Sequence, residues 1–419
     1  MSIVSLHIFS LFYFGVESWT LLLTFYLTFC ILHFVYYTLL SEGAYMENPF
    51  VLSPYEGKEF FCDREKETGA IIDDLQNGVN VTLISPRRYG KTGLVFRVLD
   101  ELSRMQPKTT LCYCDIYSAD DLEGFDKLFS EAVIRSVKVE SAIKKFFSVF
   151  GGIRPLLSYD PITGSPQVSI TYQNEGQKLD TLRSIFDYLG SQKEKFVVAF
   201  DEFQVIRDFK GVNMEALLRT YIQPLKNVRF VFCGSKKHVM ADMFVNAKSP
   251  FYESTHVVYL EKIDKEVYGS FIANLFEKEH RRIDAEALDF VLEWTRCHTF
   301  YTQYLCHRIF RNANKKIDLA EVKRACAQIL QENAPGFIER RNLLTDKQWQ
   351  FLKAVAKEGS VEQPTAGGFV NKYKLGTGAA VKRILESLVE KELLLETLSL
   401  EGKSYSVYNV FLSRWLESV

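Results

Sequence analysis

The stretch SPRRYGKTGL, Ser85 to Leu94, sets a lysine and a threonine directly behind a glycine, with two arginines just ahead. That is a composition for holding phosphate. Phosphate-binding loops follow the pattern GxxxxGK[ST]: backbone N–H groups wrap the phosphates, the lysine offsets their charge and the hydroxyl faces a metal ion. Gly90, Lys91 and Thr92 fit this pattern, while Ser85 stands where the first glycine belongs. A small residue closes such a loop provided its backbone is not held at positive φ, which would cost about 1–3 kcal/mol. The expected cradle is Ser85, Pro86, Arg87, Arg88, Tyr89, Gly90, Lys91, Thr92 and Gly93, with Lys91 on the β- and γ-phosphates and Thr92 toward Mg2+. Arg87 and Arg88 contact phosphate or an acidic partner surface, or are exposed charge only.

A second stretch, KFVVAFDEFQVI, ends a five-residue apolar run in Asp201 and Glu202. Two adjacent acids at the carboxyl edge of a sheet stand where ligands bind in open α/β folds. Asp201 would hold Mg2+ through water, and Glu202 would orient and deprotonate the attacking water. By itself such a pair is an ordinary helix cap; downstream of a phosphate loop it is the acidic strand end that hydrolysis requires. A third run, RFVFCGSKKHVM, puts the Ser235 hydroxyl either beside the γ-phosphate, as a sensor, or at the cap of the next helix. Lys91, Glu202 and Ser235 are thus the expected catalytic set.

These residues need a frame. From about residue 80, short apolar runs alternate with longer helical patterns, the signature of a parallel sheet flanked by helices. Strands are expected at Val81–Ser85, Thr110–Ile116, Lys195–Asp201, Arg229–Gly234 and His256–Leu260, all buried on both faces. Pro and Gly turns around an alternating pattern near 154–172 predict an inserted hairpin. The α/β domain then spans 46–262. Residues 263–344 carry amphipathic helical patterns without strand-like runs, which predicts a helical second domain. Residues 345–419 show helices followed by two strand-like pieces around Glu401-Gly402, the order of a winged helix.

The formal charge of −1 gives no global electrostatic reason to expect a nucleic acid or a membrane surface as partner. The eight cysteines form no CxxC pair or His-spaced cluster, which points to reduced, buried thiols and a cytosolic body. Residues 1–45 differ: Trp19 to Leu40 is apolar and long enough to cross a bilayer, yet the first Lys or Arg of the chain is Lys58. Two readings stand side by side. The leader is a transmembrane helix, or it is translated upstream sequence and the native chain starts at Met46.

FFCDREKE (Phe60 to Glu67), the Arg-rich loop, VVAFDEFQ and FVFCGSKKHVM together resemble the archaeal-type ATPases of the STAND and origin-recognition-like branch of P-loop NTPases, common in archaea and Bacteroides-type bacteria. The resemblance covers roughly Asn48 to the C-terminus. It implies an additional-strand P-loop NTPase fold that binds ATP, Asp63, Arg64 and Glu65 near the adenine, a helical lid and a C-terminal winged helix. Where many members carry Gly-x-Pro in the lid, this chain has Cys297 and Thr299, which leaves open a sensor role for His298 or Gln303; a packed or capping His298 is favoured.

The expected function is a Mg2+-dependent ATPase acting as a conformational switch on a protein partner, with self-association allowed. The first alternative is an ATP-gated nucleic-acid-binding regulator. Against it, the helix with Lys382 and Arg383 also brings Glu386, Glu390 and Glu392, whereas DNA readers show a basic face. The second alternative, a membrane-anchored signalling ATPase, depends on the leader.

Overall fold

The computed structural model describes residues 48–137, 146, 148, 156–159, 166–169, 172, 174–312, 315–399 and 402–419. The apolar leader and its two readings lie outside them. Among the described residues, no helix is long and apolar enough to cross a membrane.

The apolar runs become strands. In chain order these are β1 (Val81–Ile84), β2 (Thr110–Asp115), β3 (Leu156–Tyr159), β4 (Pro166–Ser169), β5 (Phe196–Asp201), β6 (Val228–Gly234) and β7 (His256–Tyr259). All but β3 and β4 form one parallel sheet, in the order β2-β5-β6-β1-β7. β6 therefore separates β1, which leads into the phosphate loop, from β5, which ends in the acidic pair.

Side chains alternate between the two faces, as a pleated strand requires. Phe196, Val198 and Phe200 of β5 share one layer with Phe230 and Phe232 of β6, and Phe203 closes on Phe232 with ring centroids 4.6 Å apart. Cys112 and Cys114 join that layer as free thiols. Val197, Ala199, Val231 and Cys233 face the opposite layer, made by α1 (Glu65–Gln76) and α2 (Lys91–Met105). The Phe-rich layer is covered by α3 (Leu122–Ser136), α4 (Glu175–Ser191), α5 (Met214–Ile222) and α6 (Lys237–Phe244).

β7 departs from the expectation of burial on both faces: it is half-exposed, with His256 and Tyr259 open to solvent. Among the described residues it is an edge strand paired only with β1, so one flank lacks a neighbouring strand. β3 and β4 pair antiparallel, Leu156 opposite Ser169, and the Val168 N–H donates to Glu131 Oε1 of α3 at 3.0 Å.

Beyond the sheet come α7 (Lys265–Lys278), α8 (Ala285–Thr295), α9 (Thr299–Asn312) and α10 (Leu319–Asn342). Two short strands absent from the sequence expectation, β8 (Arg282–Ile283) and β9 (Lys316–Ile317), pair parallel between them. The C-terminal part holds α11 (Asp346–Glu358), α12 (Gly367–Lys372), α13 (Gly378–Glu390), the antiparallel pair β10 (Leu394–Ser399) and β11 (Gly402–Val407), and α14 (Val410–Ser418). Its core is continuous with that of α7–α10: Phe411 of α14 packs on Trp294, Tyr301 and Tyr304, and Trp415 on Phe337.

Candidate nucleotide site

Ser85 leaves β1 buried, its N–H donating to Gly234 O at 3.3 Å. Positive φ falls instead on Arg88 (67°) and Gly90 (93°), so Ser85 carries none of the strain that a glycine there would relieve. Gly90 is the N-cap of α2, which turns the free N–H groups and positive dipole end of that helix toward the loop. Gly93 has a separate reason: a Cβ there would stand 2.3 Å from Pro54 O and 2.8 Å from Phe61 Cε2. The absent side chain lets the segment before α1 lie directly on the phosphate-loop helix.

Lys91 is buried between both acids, its Nζ 2.6 Å from Asp201 Oδ1 and 3.1 Å from Glu202 Oε1. The other Asp201 oxygen accepts from Thr92 Oγ1 at 2.7 Å and from the Tyr113 hydroxyl at 3.0 Å. Glu202 Oε2 accepts from Ser235 Oγ at 2.7 Å and Gln204 Nε2 at 2.5 Å, and Glu202 itself sits at φ 56°. Burial opposes ionisation of both carboxyls, but the Lys91 charge and these hydrogen bonds outweigh it and hold both below the ordinary carboxylate range. Burial likewise works against the Lys91 ammonium, and Asp201, ahead of Glu202, raises its pKa above the usual lysine value. The Thr92 hydroxyl and Asp201 carboxylate meet as hard oxygen donors, a set that suits Mg2+.

Ser235 does not cap the following helix. α6 begins at Lys237 with Lys236 as its N-cap, while the Ser235 hydroxyl is given to Glu202. Tyr113 and Gln204 are site residues that motif spacing passed over. Tyr113 had a signal: it alternates with Cys112 and Cys114, so it faces the phosphate-loop side of the sheet.

A cavity of about 350 Å³ runs from the loop to the segment before α1, with Tyr55, Phe61, Ile263 and Gln303 on its walls together with Pro86 to Gly93 and Glu202. Arg64 lines it, but its guanidinium is engaged by Glu67 at 2.8 Å and by the Glu261 carbonyl. Asp63 is not on the wall; its carbonyl accepts from buried Arg97, which also pairs with Glu65.

The N-terminus of α9 clasps the loop backbone. Thr299 Oγ1 donates to Tyr89 O at 3.2 Å, the Phe300 N–H to Arg88 O at 3.3 Å, and the Arg88 guanidinium lies 4.3 Å over the Phe300 ring. Just before them, Arg296 and Cys297 both hold positive φ, at 56° and 51°. His298 is packed rather than capping: it is buried edge-on between Tyr89 and Tyr301, and neither ring nitrogen has a partner. Burial, aided by the nearby Lys262 and Arg88 charges, pushes its imidazole down to about 3. The Gln303 Oε1 is also buried without a partner.

The C-terminal part reaches the same loop. Arg87 Nη1 is 3.3 Å from Glu392 Oε2, Arg87 Nε donates to Ser235 Oγ at 3.4 Å, and the Tyr408 hydroxyl donates to Arg87 O at 3.4 Å.

A phosphate loop opening a helix, a carboxylate pair two strands away and a serine just past the end of the strand between them define a P-loop ATPase of the additional-strand type, here joined to a lid and a winged helix. The chain belongs to the family of ATPase domains found predominantly in Archaea, which matches residues 61–297; residues 335–418 match a family described as a probable winged helix domain. It is similar in fold to the Walker-type ATPase Paby2304 of Pyrococcus abyssi, at 19% identity and TM-score 0.61 over 88% of this chain and 99% of that one. It is also similar to the ORC2 protein of Aeropyrum pernix in its ADPNP and ADP complexes, at 12% identity and TM-score 0.52 over 89% of this chain and 98% of that one. No protein of curated function matches the chain in sequence. The chain is thus an ATP-binding ATPase.

Proposed function

We propose that this ATPase is a Mg2+-dependent conformational switch, in which the occupant of the phosphate loop sets how the lid and winged helix dock. The observation that carries the reading is that three consecutive loop carbonyls, those of Arg87, Arg88 and Tyr89, are each held by a residue from beyond the sheet: Tyr408, Phe300 and Thr299. A change in the loop's backbone therefore acts on both elements at once.

Lys91 offsets the charge of the β- and γ-phosphates, exchanging its carboxylate partners for phosphate oxygens. Thr92 and Asp201 would hold Mg2+, which when bound would supply positive charge beside the phosphates. Glu202 takes the proton of the attacking water, and Ser235 and Gln204 fix its orientation. The cavity wall made by Tyr55, Phe60, Phe61 and Arg64, with Ile263, takes the base. This reading places the ATPase in the cytosol, where ATP is, and gives it a protein partner. A second copy of the chain is allowed as that partner.

The test is hydrogen exchange of the ATP-bound and ADP-bound full chain. Protection that differs between the two states across residues 263–419 is the expected result; identical protection there would reject the switch. Nucleic acid is the second reading, since Lys382 and Arg383 of α13 are exposed. Glu386, 4.0 Å from Lys382, works against it. Duplex DNA binding at low salt that weakens steeply with added salt would select it.

A further inference from the structure

We infer that Arg87 is shared between the terminal phosphate of ATP and the winged helix, so that Glu392 holds it in one position and the γ-phosphate draws it to another. This rests on the ATPase-switch reading and names its regulating contact. Arg87 lies on the cavity wall within the phosphate loop. One side of its guanidinium is 3.4 Å from Ser235 Oγ, and that hydroxyl is 2.7 Å from Glu202. The other side is 3.3 Å from Glu392, in the turn between α13 and β10. A single side chain thus spans the distance between the hydrolytic carboxylate and the winged helix.

The relative strengths decide the direction. Arg87 and Glu392 are 37% and 35% exposed, and an ion pair that open to water is weak. A terminal phosphate brings more charge than one carboxylate and accepts from the guanidinium fork in two parallel bonds. ATP, with its γ-phosphate beside Ser235, therefore wins the arginine from Glu392; ADP lacks that anion and leaves the pair intact. Glu392 is freed only in the ATP state. The winged helix then keeps the Tyr408 bond to the Arg87 carbonyl, a contact of 3.4 Å at the long end of hydrogen bonding. The contact thus biases the hold of the phosphate loop on the winged helix, and on the lid that shares its core, toward docking with ADP and toward loosening with ATP.

The experiment measures ATP and ADP affinity, with Mg2+, for the full-length wild type, Glu392→Gln, Arg87→Ala and the double variant. Glu392→Gln keeps shape and removes the competing charge. It is expected to tighten ATP about twofold to fivefold and leave ADP unchanged. Arg87→Ala is expected to weaken ATP about tenfold or more while sparing ADP. In the double variant, Glu392→Gln is expected to have no further effect, because its target is gone. A general loss of folding would move ATP and ADP together, and the Glu392→Gln arm stands on its own should Arg87→Ala fail to fold. An unchanged ATP-to-ADP ratio in Glu392→Gln overturns the inference and leaves the ATPase reading standing. So does a ratio that still shifts in the Arg87→Ala background, since the effect would then bypass the arginine. A wild type that binds neither nucleotide overturns both.

Discussion

Lys91 Nζ and Asp201 Oδ1 lie 2.6 Å apart with both side chains almost fully buried, joining the helix after the phosphate loop to the acidic end of β5. Burial and pairing act in opposite directions on each group, and pairing prevails on both. The site is therefore assembled as a set of ionised groups that depend on one another.

Removing one member exposes that dependence. Lys91→Ala leaves two carboxylates without their cation, and breaking a buried pair this way costs about 3–5 kcal/mol. Nucleotide binding is expected to be lost and the urea midpoint to fall. The two acids have folded pKa values below their ordinary ones, so their stabilisation is present above about pH 4 and is lost as the pH falls through the lower folded values. The stability difference between wild type and Lys91→Ala should accordingly be flat near neutrality and shrink in acid. A difference that persists in acid would locate the loss elsewhere.

Glu202→Gln keeps the size of the side chain and removes its capacity to take a proton. ATP is expected to bind while the single-turnover rate drops by about 10² to 10⁴. Hydrolysis at the normal rate would assign the base to another residue.

Two glycines give opposite signs for one substitution. Gly69 lies in α1 with nothing within 4 Å of a new Cβ, so Gly69→Ala should stabilise by up to about 1 kcal/mol. Gly93→Ala gains the same helix propensity but drives its methyl group against the Pro54 carbonyl. It should lose about 1–3 kcal/mol and weaken ADP binding, as the cavity wall from Tyr55 to Phe61 is pushed away. Thermal melts and ADP titrations of the pair check this; equal stabilisation by both would mean the wall yields freely.

His298 gives a pH signature of its own. Its folded pKa of about 3 lies below the unfolded value of about 6.5, so the unfolded chain binds the proton first and stability declines as the pH drops from about 6.5 toward 3. The slope is about 1.4 kcal/mol per pH unit at most. His298→Phe should remove that slope, whatever constant offset its larger ring adds. Parallel curves for the two proteins would show that the imidazole is solvated.

The chemistry was legible where it is local in the chain. Gly90-Lys91-Thr92 and Asp201-Glu202 declare themselves by spacing, and the alternation in FVVAFD and RFVFCG sorts Phe200 and Phe232 from Ala199 and Cys233. Edge position is different: the run around Val257 is as apolar as a central strand, and only the strand order leaves it half-covered. Gly367 and Gly368 open α12, where burial of Val370 overrides weak helix propensity. α14 carries local signals as well, Asn409 as a cap ahead of Phe411, Leu412 and Trp415. The contacts of Arg87 with Glu392 and Tyr408 have no sequence trace, because each side chain suits an exposed surface and only the fold brings them together.

The continuous core behind Phe411 bears on how this protein comes apart. Trp294, Tyr301 and Tyr304 bury their rings against α14, and Arg296 reaches Ser413 and Glu417 of the same helix at 2.9 and 3.2 Å. Among the described residues no layer of solvated side chains separates 263–344 from the C-terminal part, so the two are expected to melt as one cooperative unit rather than as beads on a string. Cutting the chain after Leu344 would strip one wall from that unit. The remaining fragment would present a sticky apolar face and aggregate instead of behaving as a smaller ATPase.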